Sequence, residues 1–291
     1  LGGAIRIKVN ETVNESIIAN NIFINNTAIN GGGAIYCDSD NALFTQTTFI
    51  NNEATSKSGG AMQLNGNNNT LSYNIIDNCN ASYKGGAFFI ENNANKILFN
   101  NITNCHAGSG GGAIYITGSD STLNNNNILN TSDGLMGGAI QITGNNSIIT
   151  DNVMIDNVAE TNGGGLCIEG NYSVISGNVF INNTAISISG GAIKLNGTNN
   201  TISGNIIDGC VALHKGGAIF IGSDGNNIIC NNITNCHTVN GGAICILGSD
   251  CIIIGNNILN SSAESLGGGI QIEGNNSIIT DNVMIDNVAE T

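Results

Sequence analysis

Apolar positions recur along this chain with a period of about 26 residues, and within each period they alternate with polar ones. Each period opens on a Gly-Gly-Ala or Gly-Gly-Gly box, the first at Gly2 and the last at Gly267, with successive boxes 25 to 30 residues apart. The third and fifth residues after the first glycine are apolar in all eleven units: Ile5 and Ile7, Ile35 and Cys37, Met62 and Leu64, and so on to Ile270 and Ile272. The residue between them varies freely, which is the period-two alternation of a strand with one face buried and one exposed.

A second apolar position, twelve residues after the box, predicts a second strand; Phe44, Leu71, Ile97, Leu123, Ile149, Ile175, Ile202, Ile228, Ile253 and Ile279 hold it. A third signal is an Ile-x-Asn triplet ending in Asn26, Asn52, Asn78, Asn104, Asn130, Asn157, Asn183, Asn235, Asn260 and Asn287, with Gly209 once in the same place. Asn and Gly share a tolerance of the left-handed backbone, so the triplet predicts a ladder of sharp bends with φ above zero. Each unit then holds three short strands and three bends.

Units this short cannot bury their own apolar faces, so each must stack on the next, with equivalent residues about 4.8 Å apart in parallel sheets. No unit has apolar residues at i, i+3, i+4 and i+7 over ten residues, which argues against helical repeats. The leucine-rich LxxLxLxxN frame is absent, and propeller blades need longer units. The expected architecture is all-β: one array of eleven rungs over residues 1–291, a rod on the order of 50 Å long. Boxes two to six match boxes seven to eleven at offsets of 130 or 131, so 32–161 and 163–291 read as a duplicated block. The array reads as a segment of a longer protein, whose adjacent repeats would continue the stack.

The Gly-Gly-Ala-Ile box alternating with Phe-x-x-Asn, as in Phe23 to Asn26, Phe49 to Asn52 and Phe180 to Asn183, resembles polymorphic outer-membrane proteins of intracellular bacteria. It is also similar to the Asn-rich adhesin-like surface proteins of methanogenic archaea, and the likeness runs the length of the chain. In most rungs Ile, Asn or Met replaces the Phe. The resemblance implies a right-handed, single-stranded parallel β-helix of the pectin-lyase-like kind, displayed at the cell surface and implicated in attachment.

Composition narrows the chemistry. A net charge of -14 leaves no basic surface for phosphate, which disfavours nucleic acid and anionic lipid as partners. No apolar run approaches the roughly 20 residues that span a bilayer. Nine cysteines occur without a CxxC pair, so neither a zinc site nor a disulfide framework is signalled. Cys105-His106 and Cys236-His237, with Cys79 and Cys210 one rung earlier, come nearest to a ligand set, but other rungs put small residues in that column and the cysteines read as core. No metal or cofactor is expected.

The column expected on the outer face of the box strand runs Arg6, Tyr36, Gln63, Phe89, Tyr115, Gln141, Cys167, Lys194, Phe220, Cys245 and Gln271, without a carboxylate. Asp77, Asp156, Asp208 and Asp286 read as a different column, never on adjacent rungs. Catalysis by paired acids is therefore disfavoured, and no catalytic residue is assigned. Phe89, Tyr115 and Phe220 are the nearest thing to a sugar-stacking face. Among many Asn-x-Ser/Thr sequons, which include Asn10 and Asn14, Asn145 and Asn275 in GNNS loops are the better glycosylation candidates. The leading expectation is a non-catalytic extracellular segment for attachment or display, with cell-surface glycans or proteins as partners. The alternatives are a carbohydrate-active β-helix enzyme and a structural spacer of the cell envelope.

Overall fold

The computed structural model describes residues 1–8 and 16–290, so that Asn10, Asn14 and Thr291 lie outside the described residues. The chain climbs through four parallel sheets, A to D, each of eleven strands. One rung shows the order: Ile140–Ile142 in sheet A, Ile148–Thr150 in B, Val153–Ile155 in C and Val158–Ala159 in D. Strands pair in register with their equivalents one rung away, as Ile114, Ile140 and Leu166 do in sheet A. No helix occurs among the described residues. The chain is an all-β parallel β-helix of eleven rungs, at the repeat length expected. Sheet D is an addition to the three strands expected per unit, because its strands are mostly two residues long and too short to show a period.

The two apolar positions of the box strand and the centre of the second strand point inward as anticipated. Ile140, Ile142 and Ile149 have no exposed surface, and the register stacks each on its like. The boxes are glycine because main chain passes main chain there. A Cβ on Gly138 would lie 2.2 Å from the carbonyl oxygen of Gly164 and 2.6 Å from the backbone of Val158.

The Ile-x-Asn triplet needs correction, since it merges two columns one residue out of step. Phe49, Ile76, Ile102, Ile128, Met154 and Phe180 stack as the inward column of sheet C. The left-handed residue comes two positions later, at Asn78, Asn104, Asn130, Gly209, Asn235 and Asn260 as expected, but at Asn25, Asn51, Asp156, Asn182 and Asp286 in the other rungs. Asn26, Asn52, Asn157, Asn183 and Asn287 lie one residue beyond the bend. Asn157 is fully buried there, and its Nδ2 donates to Ile128 O at 3.1 Å and to Asn183 Oδ1 at 2.9 Å.

The longest internal amide ladder stands at the bend between sheets B and C. Asn74, Asn100, Asn126, Asn152, Asn178, Asn205, Asn231 and Asn256 each donate both the main-chain N–H and Nδ2 to the Oδ1 of the next rung's Asn, ending on Asn282. Each Nδ2 also donates to a carbonyl of strand B, as Asn152 does to Leu123 O at 2.9 Å. Buried polar groups need partners, and the ladder supplies them in a turn where sheet pairing lapses. Its sequence signal is an Asn three residues after each sheet B centre, with Thr47 the one exception.

Candidate functional site on the outer face of sheet A

The middle residues of the box strands are not open to solvent. Tyr36, Gln63, Phe89, Tyr115, Gln141, Cys167, Phe220 and Cys245 are all buried. The main chain that leads from sheet D to the next box runs over them: a Cβ on Gly110 would lie 2.7 Å from both Tyr115 Cε2 and Gln141 Oε1. Phe89, Tyr115 and Phe220 therefore do not form an open stacking face; they are 8%, 5% and 8% exposed. Phe89 and Tyr115 pack on each other with centroids 5.8 Å apart, and Lys84 Nζ donates to Tyr115 Oη at 2.9 Å.

Outward alternation continues one step past the strand, to Asp38, Asn65, Glu91, Thr117, Thr143, Glu169, Asn196 and Glu273. Their N–H groups keep the ladder going, as Glu169 N does to Ile142 O at 2.9 Å. This column, half-buried to exposed, carries the carboxylates missing from the middle column. Its signal was the same period of two, carried one residue beyond the last inward side chain.

Together the two columns make a strip with two polar groups. In rungs two to four, Asn65 Nδ2 donates to Tyr36 Oη at 2.6 Å and to Asp38 Oδ1 at 3.2 Å, while Gln63 Nε2 donates to Asn65 Oδ1 at 3.1 Å. Burial and then Asp38 push the Tyr36 phenol up to about 12, and burial raises Glu91 above the usual carboxylate range. In rungs six to nine, Gln141 Nε2 donates to Glu169 Oε1 at 3.3 Å, and Lys194 Nζ stands 5.7 Å from the centroid of Phe220. Burial lowers the Lys194 pKa, against the opposing pull of Cys167 and Glu169. A lysine desolvated beside an aromatic ring loses its proton more readily than a free one and is suited to accept a proton from a substrate. Burial pushes the Cys167 thiol up to about 12, so it stays neutral and is not a nucleophile.

Asp133, in sheet D, is within electrostatic reach of Cys167 in this second group. Alanines occupy most of its column in sheet D, among them Ala107 and Ala159 beside it. Asp133 Oδ1 accepts from Leu135 N at 2.7 Å, whereas its Oδ2, like Gln141 Oε1, is buried without a partner. Burial raises its pKa to about 7, opposed by the backbone N–H groups of Leu135, Gly110 and Met136 around it. The folded state thus holds this proton more tightly than the unfolded chain, so the contribution of Asp133 to stability is full below about pH 4 and is lost as pH rises toward 7. The melting midpoint of the wild type is expected to drop between pH 5 and pH 8 by more than that of Asp133→Ala; equal pH profiles would contradict this assignment.

The remaining sequence candidates are dispersed. Asp77 and Asp208 occupy the outward place of sheet C and bond Thr103 and Thr234, while Asp156 and Asp286 are bend residues, so the four do not share a column. Cys105 and Cys236 point into the core whereas His106 bonds Ser132 and His237 bonds Ser262 on the outside, and neither pair can chelate as a unit. Among the described residues no three His, Cys, Asp or Glu side chains converge on a point. All nine cysteines are free and only Cys230 is exposed. A thiol reagent applied to the native protein is expected to label Cys230 first and the other eight only on unfolding; rapid labelling of several thiols would refute this packing. Asn145 and Asn275 are exposed in the turn between sheets A and B, with Asn145 Oδ1 accepting from Asn171 N at 2.8 Å.

Comparison with known proteins adds two findings. The repeat profile of the Chlamydia polymorphic membrane protein matches residues 22–38. No curated protein sequence matches the chain. Among solved structures, the fold is similar to that of a PL6 alginate lyase in complex with a trisaccharide, with a TM-score of 0.59 and 17% identity over 87% of this chain and 58% of that one. It is likewise similar to alginate lyase AlyF-OU02 with G6, with a TM-score of 0.59 and 16% identity over 89% of this chain and 54% of that one. The chain thus spans little more than half the length of these enzymes. The expectation of a non-catalytic attachment or display segment is corrected by this result, which favours the carbohydrate-active alternative: both of these solved proteins of similar fold are alginate lyases.

Proposed function

We propose that this β-helix is carbohydrate-active, holding an acidic polysaccharide along the outer strip of sheet A and transferring a proton through Lys194. The observation that carries the reading is the half-buried Lys194 amine, 5.7 Å from the Phe220 ring centroid and brought down in pKa by burial, within electrostatic reach of Glu169. The shared architecture with two alginate lyases supports the substrate class. In an elimination at a uronate, the amine removes the proton from the carbon bearing the carboxylate. The electron pair of that C–H bond becomes the new C=C bond, and the glycosidic oxygen leaves and takes a proton from solvent.

The net charge of -14 does not forbid a polyanion. Charges beyond a Debye length of about 8 Å are largely screened at physiological salt, and at the strip itself Arg6, Lys84, Lys194 and Lys215 offset the carboxylates of Asp38, Glu91, Glu169 and Glu273. An extracellular or cell-surface location fits such a substrate and is supported by the Chlamydia repeat match at residues 22–38. The test is incubation of the chain with a panel of acidic polysaccharides, alginate among them, while unsaturated ends are followed by ultraviolet absorbance. Release of such ends is expected; neither release nor binding with any polymer would sink the proposal.

A further inference from the structure

Two exposed aromatic rings lie away from the strip, on the bend between sheets B and C. Tyr73 is 57% exposed and Phe99 44%, and their rings stack with centroids 5.0 Å apart and planes within 3°. Both residues have φ of 55°. Bulky side chains are rare in that left-handed region, and strain kept in a fold points to a use. The bend itself does not need the rings. In the duplicated block, Gly204-Asn205-Ile206 replaces Tyr73-Asn74-Ile75 and Cys230-Asn231-Asn232 replaces Phe99-Asn100-Asn101, with the same left-handed turns. The amide ladder passes through both copies unchanged.

The surroundings indicate a ligand of limited size. Two half-exposed rings offer on the order of 200 Å², against the roughly 800 Å² that each side of a stable protein interface buries. Exposed Gln46 and Asn125 stand in the same column on the rungs either side, and exposed Asn101, whose Oδ1 accepts from Asn127 Nδ2 at 3.2 Å, lies two residues after Phe99. An apolar face bordered by amides matches a pyranose, which has an apolar face of C–H groups and a rim of hydroxyls. We propose that Tyr73 and Phe99 form a saccharide-binding subsite in the first block only, separate from the strip of sheet A. The saccharide class rests on the proposed function, but binding here does not need Lys194.

The full chain should be titrated with alginate hexasaccharide and with the neutral cellohexaose, by calorimetry and by NMR of labelled Tyr and Phe rings. The Lys194→Met background prevents turnover. The Tyr73 and Phe99 signals are expected to shift with at least one probe, and Tyr73→Asn with Phe99→Asn to weaken that binding about tenfold or more. Asn tolerates the left-handed turn, so this double variant should melt no lower than its parent. The converse pair, Gly204→Tyr with Cys230→Phe, should add a second equivalent site. Ring signals unmoved by saturating amounts of both probes would overturn the subsite, whether or not the chain degrades a polymer. Concentration-dependent self-association lost in the double variant, without saccharide binding, would overturn it in favour of a contact between copies.

Discussion

Lys194→Met is expected to lower turnover of an acidic polysaccharide by about 10²- to 10⁴-fold, the usual contribution of a positioned proton acceptor. The amine is half-buried, and removing a charge from a partly desolvated place should leave the melting midpoint unchanged or higher. The pH dependence separates a proton-transfer role from a structural one. Since burial lowers the lysine pKa, the neutral amine forms at lower pH than it would for a free lysine, and the rate should rise with pH through that midpoint. Lys96→Met, on the exposed face of sheet B, is the control and should keep full activity. Full activity in Lys194→Met, or a rate that falls with pH where the amine loses its proton, would remove Lys194 from the chemistry.

Asn152→Leu is expected to destabilise the β-helix by about 3–6 kcal/mol, since several buried groups at once lose their partners at roughly 1–3 kcal/mol each. Asn152 Oδ1 accepts from Asn126 N and Asn126 Nδ2, both at 2.9 Å. Its Nδ2 serves Leu123 O at 2.9 Å and Asn178 Oδ1 at 3.0 Å. Leucine fills a similar volume but answers none of these. Asn130→Gly, at an exposed left-handed bend, should by contrast change stability by only a few tenths of a kcal/mol, because glycine adopts φ above zero freely. In a solenoid each rung contacts chiefly its neighbours, so the loss at Asn152 should appear in urea as an earlier, split transition centred on rungs five to seven. Equal midpoints for the two variants would mean that the buried ladder does not hold the stack.

Much of this architecture was legible because residues that face inward on a stacked rung must resemble their neighbours. Ile140, Ile142 and Ile149 stand in columns of the same kind over the whole chain, and the boxes are glycine wherever main chains cross. The C to D bend was misplaced for a chemical reason. Asn serves both as the left-handed residue, as at Asn78, and as the buried amide one step later, as at Asn157. Isoleucine likewise fills the inward place at Ile76 and the outward one at Ile155. Identity alone cannot separate columns that accept the same residue types; only pairing does.

The site was less legible because it depends on how far the chain overhangs. The middle of the box strand has the alternation of an exposed face, yet the segment around Gly110 closes over it, and Phe89, Tyr115 and Phe220 become a floor. The usable surface moved outward to Asp38, Glu91 and Glu169, which the pattern holds in plain view two residues later. Lys194 was visible as a residue but not as a chemical group, since its lowered pKa comes from burial beside Phe220. The stacked pair of Tyr73 and Phe99 was hidden in another way, because rings one rung apart lie 26 residues apart in the sequence.

The most direct measurement is a structure of Lys194→Met determined with a uronate oligosaccharide bound. The saccharide is expected along the outer strip between Gln141 and Phe220, with the ring carbon that bears the carboxylate directed at side chain 194. An oligosaccharide bound only elsewhere on the β-helix, or a strip left empty at saturating ligand, would contradict it.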